Sequence, residues 1–126
     1  ASAPRELATR VFGKAGSYSG LDFDSHGVNL MAVGNTTRMA LPVQVNETEH
    51  PVLKGLYCPA YQGLLRFDMD TRTKTLTDRP TIITQRFANN CSSEGHSASN
   101  PVLRSVQVDD YVYYLTDQGQ VLGAPW

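Results

Sequence analysis

Tyr111-Val112-Tyr113-Tyr114-Leu115-Thr116-Asp117-Gln118-Gly119-Gln120-Val121-Leu122 has the strongest β signal in the chain. It opens on aromatic and β-branched residues, turns through Asp117-Gln118-Gly119 and returns on aliphatics, which is the pattern of a β-hairpin. Side chains alternate across a strand, so Tyr111 and Tyr113 face one way and Tyr114 the other. Just upstream, residues 102–108 alternate towards their end and meet the same strand through Asp109-Asp110.

Two further hairpins are predicted in the same way. Leu64-Leu65-Arg66-Phe67-Asp68 turns through Asp70-Thr71-Arg72-Thr73 into Lys74-Thr75-Leu76. Leu21-Asp22-Phe23-Asp24 turns through Ser25-His26-Gly27 into residues 28–33, with Asp opening the turn and Gly closing it. Residues 80–87 are β-branched and read as a strand. Residues 39–45 read as another, which Pro42 confines to an edge or a bulge. Only residues 5–12 offer a helix, with Leu7, Val11 and Phe12 on one side and Gly13 to end it; an extended arm is the equal alternative. The polar run over residues 89–100 reads as a loop.

The hairpins are evenly spaced. Tyr18-Ser19-Gly20-Leu21-Asp22-Phe23-Asp24 is similar to Tyr61-Gln62-Gly63-Leu64-Leu65-Arg66-Phe67-Asp68 at an offset of roughly 43 residues, and the third hairpin lies about as far again. The expected fold is therefore all-β, a small antiparallel β-barrel or sandwich, with a pseudo-threefold, β-trefoil-like barrel as its most specific variant. The third unit lacks the Tyr-x-Gly element. The 126 residues form a single domain on this reading.

Composition narrows the function. The formal net charge is −1 and the 11 Lys and Arg are scattered singly, so no basic patch for nucleic acid or an anionic membrane is visible. No apolar run approaches the roughly 20 residues that span a bilayer. Charged residues are only 18% of the chain, against about 25% in an average domain, and polarity comes from Ser, Thr, Asn and Gln. That balance fits an extracellular β-protein, since Thr suits strands and Ser and Asn suit turns.

Several signs point to secretion. The start, Ala1-Ser2-Ala3-Pro4, reads as a mature end left by signal-peptide cleavage. Asn35, Asn46 and Asn90 each open an Asn-x-Ser/Thr sequon, the first two in polar, turn-like segments where a glycan reaches solvent. Two cysteines in a secreted chain allow one pairing, Cys58 with Cys91, closing a loop of about 34 residues. Two Cys so far apart, with no His at ligand spacing, are no metal signature, and no cofactor motif is present.

Catalysis finds little support. A nucleophile elbow, a P-loop, a zinc-protease motif and a dinucleotide glycine fingerprint are all missing from the sequence. His26, His50 and His96 fall in expected turns or loops. The pairs Asp22/Asp24 and Asp68/Asp70 could bind calcium or serve a glycosidase, but turn positions and strand alternation already account for them. The aromatics are the better lead. Tyr111, Tyr113 and Tyr114 form the candidate binding cluster, because tyrosine on a rigid sheet can stack on sugar rings or anchor a protein.

The start at Ala1, the three sequons, the single Cys pair and the hairpin over residues 111–122 together resemble small secreted glycoproteins of filamentous fungi, in particular the phialide-type cell-wall proteins of moulds. That resemblance implies a secreted or wall-associated role without catalysis, and carries over no functional residue. The expected function is a secreted, non-catalytic binding protein for a cell-wall or host glycan or a partner protein. A secreted hydrolase using an Asp pair or a loop His is the runner-up, and a structural wall protein is the third reading.

Overall fold

The computed structural model describes residues 3–22, 24–87, 91, 102–116 and 118–126, with only the backbone of Val102 and Leu103. Among the described residues there are eight strands: β1 Tyr18–Ser19, β2 Asn29–Val33, β3 Thr36–Glu49, β4 Tyr57–Asp70, β5 Thr75–Arg86, β6 Val102–Val108, β7 Tyr111–Thr116 and β8 Val121–Pro125. They make two antiparallel sheets. In the first, β2-β3-β4-β5 form a meander and β1 pairs with β3 beside β2; the second is β6-β7-β8. The fold is all-β, as the alternation requires, and the two sheets pack face to face without closing into a barrel among the described residues.

The turns explain the registers. Val33 pairs with Thr36, so Gly34-Asn35 is a two-residue loop, and Gly34 takes φ 61°, the positive value that primed hairpin turns need at their first central position. Asp109 does the same at φ 51° between Val108 and Tyr111. Asp is one of the few side chains that tolerates this region. At the end of β4, Asp70 Oδ1 accepts from the backbone N–H groups of Arg72 and Thr73, both at 2.8 Å, closing the loop into β5.

Sheet faces follow from parity. Ala40, Leu64 and the half-buried Ile82 face the second sheet and meet Val112, Tyr114 and Trp126. Val43, Val45, Leu65 and Phe67 point to the opposite side, with Met39, Leu41 and Leu76 around them. That side is covered by the N-terminal segment. Phe12 packs on Phe67 at 5.5 Å between ring centroids, Arg10 pairs with Asp78 at 3.0 Å, and Lys14 N donates to Asn46 O at 2.8 Å. Residues 5–12 are thus an extended arm and not a helix. Its few apolar side chains gain more against the sheet than a single two-turn helix offers.

Three expectations need correction. Residues 20–22 form a 3-10 turn, so the hairpin expected around Ser25-His26-Gly27 is instead β2–β3, turning at Gly34-Asn35. The turn itself survives, with Gly27 N donating to Asp24 O at 2.8 Å. The threefold repeat has no counterpart among the described residues: Tyr18 and its neighbours make a two-residue strand and a 3-10 turn, while Tyr61 to Asp68 run through the middle of β4. Pro42 lies in an inner strand. It sits where β3 passes from β2, paired up to Ala40, to β1, paired from Val43. Pro80, in contrast, obeys the edge rule, since β5 is the sheet's last strand.

Candidate interaction surface

Tyr111 and Tyr113 lie on the outer face of β7, turned away from the first sheet, and are 48% and 38% exposed. Their rings stack at 6.2 Å with 25° between planes. Gly123 on β8 pairs with Tyr113, and a Cβ there would meet the ring at 2.9 Å, so glycine lets the ring lie close to the strand. The register sets Val106 and Val108 of β6 and Val121 of β8 around the tyrosines, with Leu115 following on β7. All four are exposed, Val121 at 69%. Six large apolar side chains therefore line one face of a three-stranded sheet, a contiguity that solvent-facing sheets normally lack.

Tyr114 is not part of this surface. It points inward, 9% exposed, into the core with Ala40, Leu64 and Trp126. The alternation already separates it from Tyr111 and Tyr113; only its grouping with them as a binding residue is corrected.

A second cluster lies between the sheets, built from residues that no motif or spacing joins. Trp126 is 9% exposed, and its Nε1–H donates to Asp68 Oδ1 at 2.8 Å. The guanidinium carbons of Arg66 and Arg38 stand 5.4 and 5.6 Å from its ring centroid. Asp68 also pairs with Arg79 at 3.3 Å, and Arg38 pairs with Asp110 at 2.9 Å. Arg66 is buried and donates to the carbonyls of Pro80 and Pro125. Burial pushes its pKa down, nearby Arg79 adds to this and Asp68 opposes it. Charges and carbonyls here satisfy one another across the sheet interface, so the cluster reads as a clasp.

The other candidate residues occupy structural roles. Asp22 Oδ2 accepts from Ser19 N at 2.7 Å, and Asp24 accepts from His26 N at 2.9 Å and pairs with Arg104 at 2.6 Å. The backbone N–H of His26 is the main cause that lowers the Asp24 pKa. His50 Nδ1 accepts from Val52 N and Leu53 N in a surface loop. No group of three metal-ligating side chains is found among the described residues. Asn35 stands exposed in the β2–β3 turn. Asn46 does not: it is buried in β3 and its Nδ2, the atom a glycan would occupy, donates to Tyr57 O at 3.0 Å. Asn90 and His96 lie outside the described residues, as does most of the polar run over 89–100. Cys58 and Cys91 are joined in a disulfide with Cα atoms 5.5 Å apart.

A family model described as a β-propeller domain matches residues 1–122. The chain belongs to the β-propeller domain family. The architecture agrees, since a propeller blade is a four-stranded antiparallel sheet and β2-β3-β4-β5 form one, with β6-β7-β8 stacked on it as a second, three-stranded sheet. No curated protein and no solved structure matches the chain. β-propeller domains often mediate protein interactions. No helix among the described residues is long and apolar enough to cross a membrane.

Proposed function

We propose that this domain is a non-catalytic module that binds a protein partner through the outer face of β6-β7-β8. One observation carries the reading: Tyr111, Tyr113 and the surrounding Val and Leu side chains form an exposed apolar row on a rigid sheet. Burying such a row is worth about 25 cal/mol per Å² of apolar area removed from water. Tyrosine adds area at low entropic cost. A protein partner is favoured over a glycan because, apart from the tyrosine hydroxyls, the row offers few polar groups to read sugar hydroxyls, and the two rings already stack on each other. The disulfide and the exposed sequon at Asn35 support an oxidising, extracellular setting. A wall-associated role, of the kind the fungal resemblance implies, fits the same face.

The test places a photo-crosslinking amino acid at position 111 or 108, with position 54 as a control on the remote loop. Protein adducts from 111 and 108 but not from 54 are expected, together with no retention on insoluble polysaccharides. Retention on one polysaccharide, lost in Tyr111→Ala/Tyr113→Ala with the fold intact, overturns the protein reading in favour of a glycan.

A further inference from the structure

The N-terminal arm does not fill the side of the first sheet that faces away from β6-β7-β8. Between the arm and the β4–β5 hairpin it leaves a hollow of about 410 Å³, within the size range of small-molecule sites. Leu7, Ala8, Met69 and Leu76 give the hollow an apolar lining, and Leu7 and Met69 stay 57% and 40% exposed. The arm is held in place beside it: Arg10 pairs with Asp78 at 3.0 Å and donates to the Leu76 carbonyl at 2.9 Å. Most polar groups around the hollow are already engaged. Asp70 Oδ1 accepts from two turn amides, Thr71 Oγ1 donates to Asn35 O at 3.1 Å, and the Thr75 hydroxyl bonds that of Thr73 at 2.8 Å. Arg5 and Lys74 differ. Both line the hollow, and neither pairs with a carboxylate among the described residues. Lys74 also holds φ 60°, a backbone conformation that glycine or asparagine adopts more readily, and such outliers collect at ligand sites.

We propose that this hollow binds a small aliphatic carboxylate, with its chain on Leu7, Ala8, Met69 and Leu76 and its head at Arg5 and Lys74. The site is separate from the tyrosine face and stands whether or not that face binds a protein. Two observations choose the ligand class. The first is the lining. No aromatic ring lines the hollow among the described residues, so a sugar or a nucleobase finds no stacking partner there. Leucine and the pliable thioether of methionine suit a methylene chain. The second is charge. The lining carries two cations against one carboxylate, and that carboxylate is held by the turn amides, so the hollow favours a monoanion. Arginine meets a carboxylate with two parallel N–H donors, and lysine adds a point charge.

Titration with hexanoate, octanoate, decanoate and dodecanoate, each kept monomeric in solution and followed by the methyl resonance of Met69 and by calorimetry, tests this. Octanoate should bind with a Kd on the order of 0.1–1 mM, as expected of a ligand of about ten non-hydrogen atoms. Each added methylene should tighten binding by about two- to fourfold until the hollow is full, with a plateau by dodecanoate. Octanol, the same chain without the charge, should bind several-fold more weakly. Lys74→Gly relieves the positive φ, so it should fold at least as well in urea and yet weaken octanoate by about three- to fivefold. Arg5→Gln should weaken it by a similar factor. Ala8→Phe, at an exposed position, fills the hollow and should weaken octanoate by at least about tenfold with far-UV circular dichroism unchanged. No response of Met69 up to about 10 mM octanoate overturns the site. Octanol binding as tightly as octanoate, or an octanoate affinity unchanged in both Lys74→Gly and Arg5→Gln, overturns the anionic head. Affinity that ignores Ala8→Phe, or that has no plateau along the series, means loose association with exposed apolar surface and overturns the hollow as the site.

Discussion

Replacing Trp126 by Phe tests whether the clasp between the sheets holds them together. Phe keeps an aromatic ring against Ala40, Leu64, Val112 and Tyr114 but has no N–H for Asp68. A hydrogen bond to a charged group contributes about 1.5–3 kcal/mol, and a half-buried carboxylate that loses a donor sits at the upper part of that range. The cation–π contacts to Arg38 and Arg66 persist in weakened form, at a cost of a few tenths of a kcal/mol. Trp126→Phe should therefore cost about 2–3 kcal/mol. Trp126→Ala also leaves a cavity and should cost about 3–5 kcal/mol. Against a total of about 5–15 kcal/mol, the first variant stays folded and the second approaches the limit. Trp126 is the single tryptophan, so unfolding in urea is followed by far-UV circular dichroism. A Trp126→Phe loss below about 0.5 kcal/mol would refute the reasoning, since Asp68 would then be satisfied by Arg79 alone. A cycle with Asp68→Asn should return a coupling of about 1–2 kcal/mol.

Three further outcomes follow from the geometry. At Gly63, a Cβ would fall on the carbonyl oxygen of Ile82, so Gly63→Ala should force β4 from β5 and cost about 1–3 kcal/mol in urea unfolding; a neutral effect would mean the strands separate freely there. Breaking the Cys58–Cys91 bridge by Cys58→Ala/Cys91→Ala should cost about 3–4 kcal/mol through loop-closure entropy, and an unchanged urea midpoint would show that the segment between them is ordered without it. Backbone hydrogen bonds from Thr73 and Arg72 lower the Asp70 pKa. Because the folded value is the lower one, the turn's stabilisation is present above the unfolded value and is lost as pH falls through the folded one. The Arg72 and Thr73 amide resonances should titrate with a midpoint below the ordinary aspartate value, and a midpoint at or above it contradicts the assignment.

What the sequence makes legible is local. The β4–β5 and β7–β8 hairpins and the β6–β7 pair sit where alternation and turn residues place them, and the Cys pair is bridged. The opposite orientations of Tyr113 and Tyr114 follow from period alone. The first hairpin misleads because two turns compete: Asp24 to Gly27 closes a real turn, but Gly34-Asn35 is the two-residue loop that strands can flank. Asn46 misleads because its polar neighbours mimic a loop, while its place in β3 buries it. The clasp is illegible for a different reason. Arg38, Arg66, Asp68 and Trp126 come from β3, β4 and the end of the chain, and only the packing of one sheet on the other makes them neighbours.

Pro80 guards the edge of the first sheet that β5 presents. An open edge is a template along which another chain adds strand by strand, the route to fibrils. Pro80 breaks the row of donors, and its flanking residues, Asp78 and Arg79, put charge on the same stretch. Extension along the hydrogen-bonding axis is blocked on that side of the first sheet. Pro80→Thr is therefore the substitution after which an ordered aggregate should first grow from this edge.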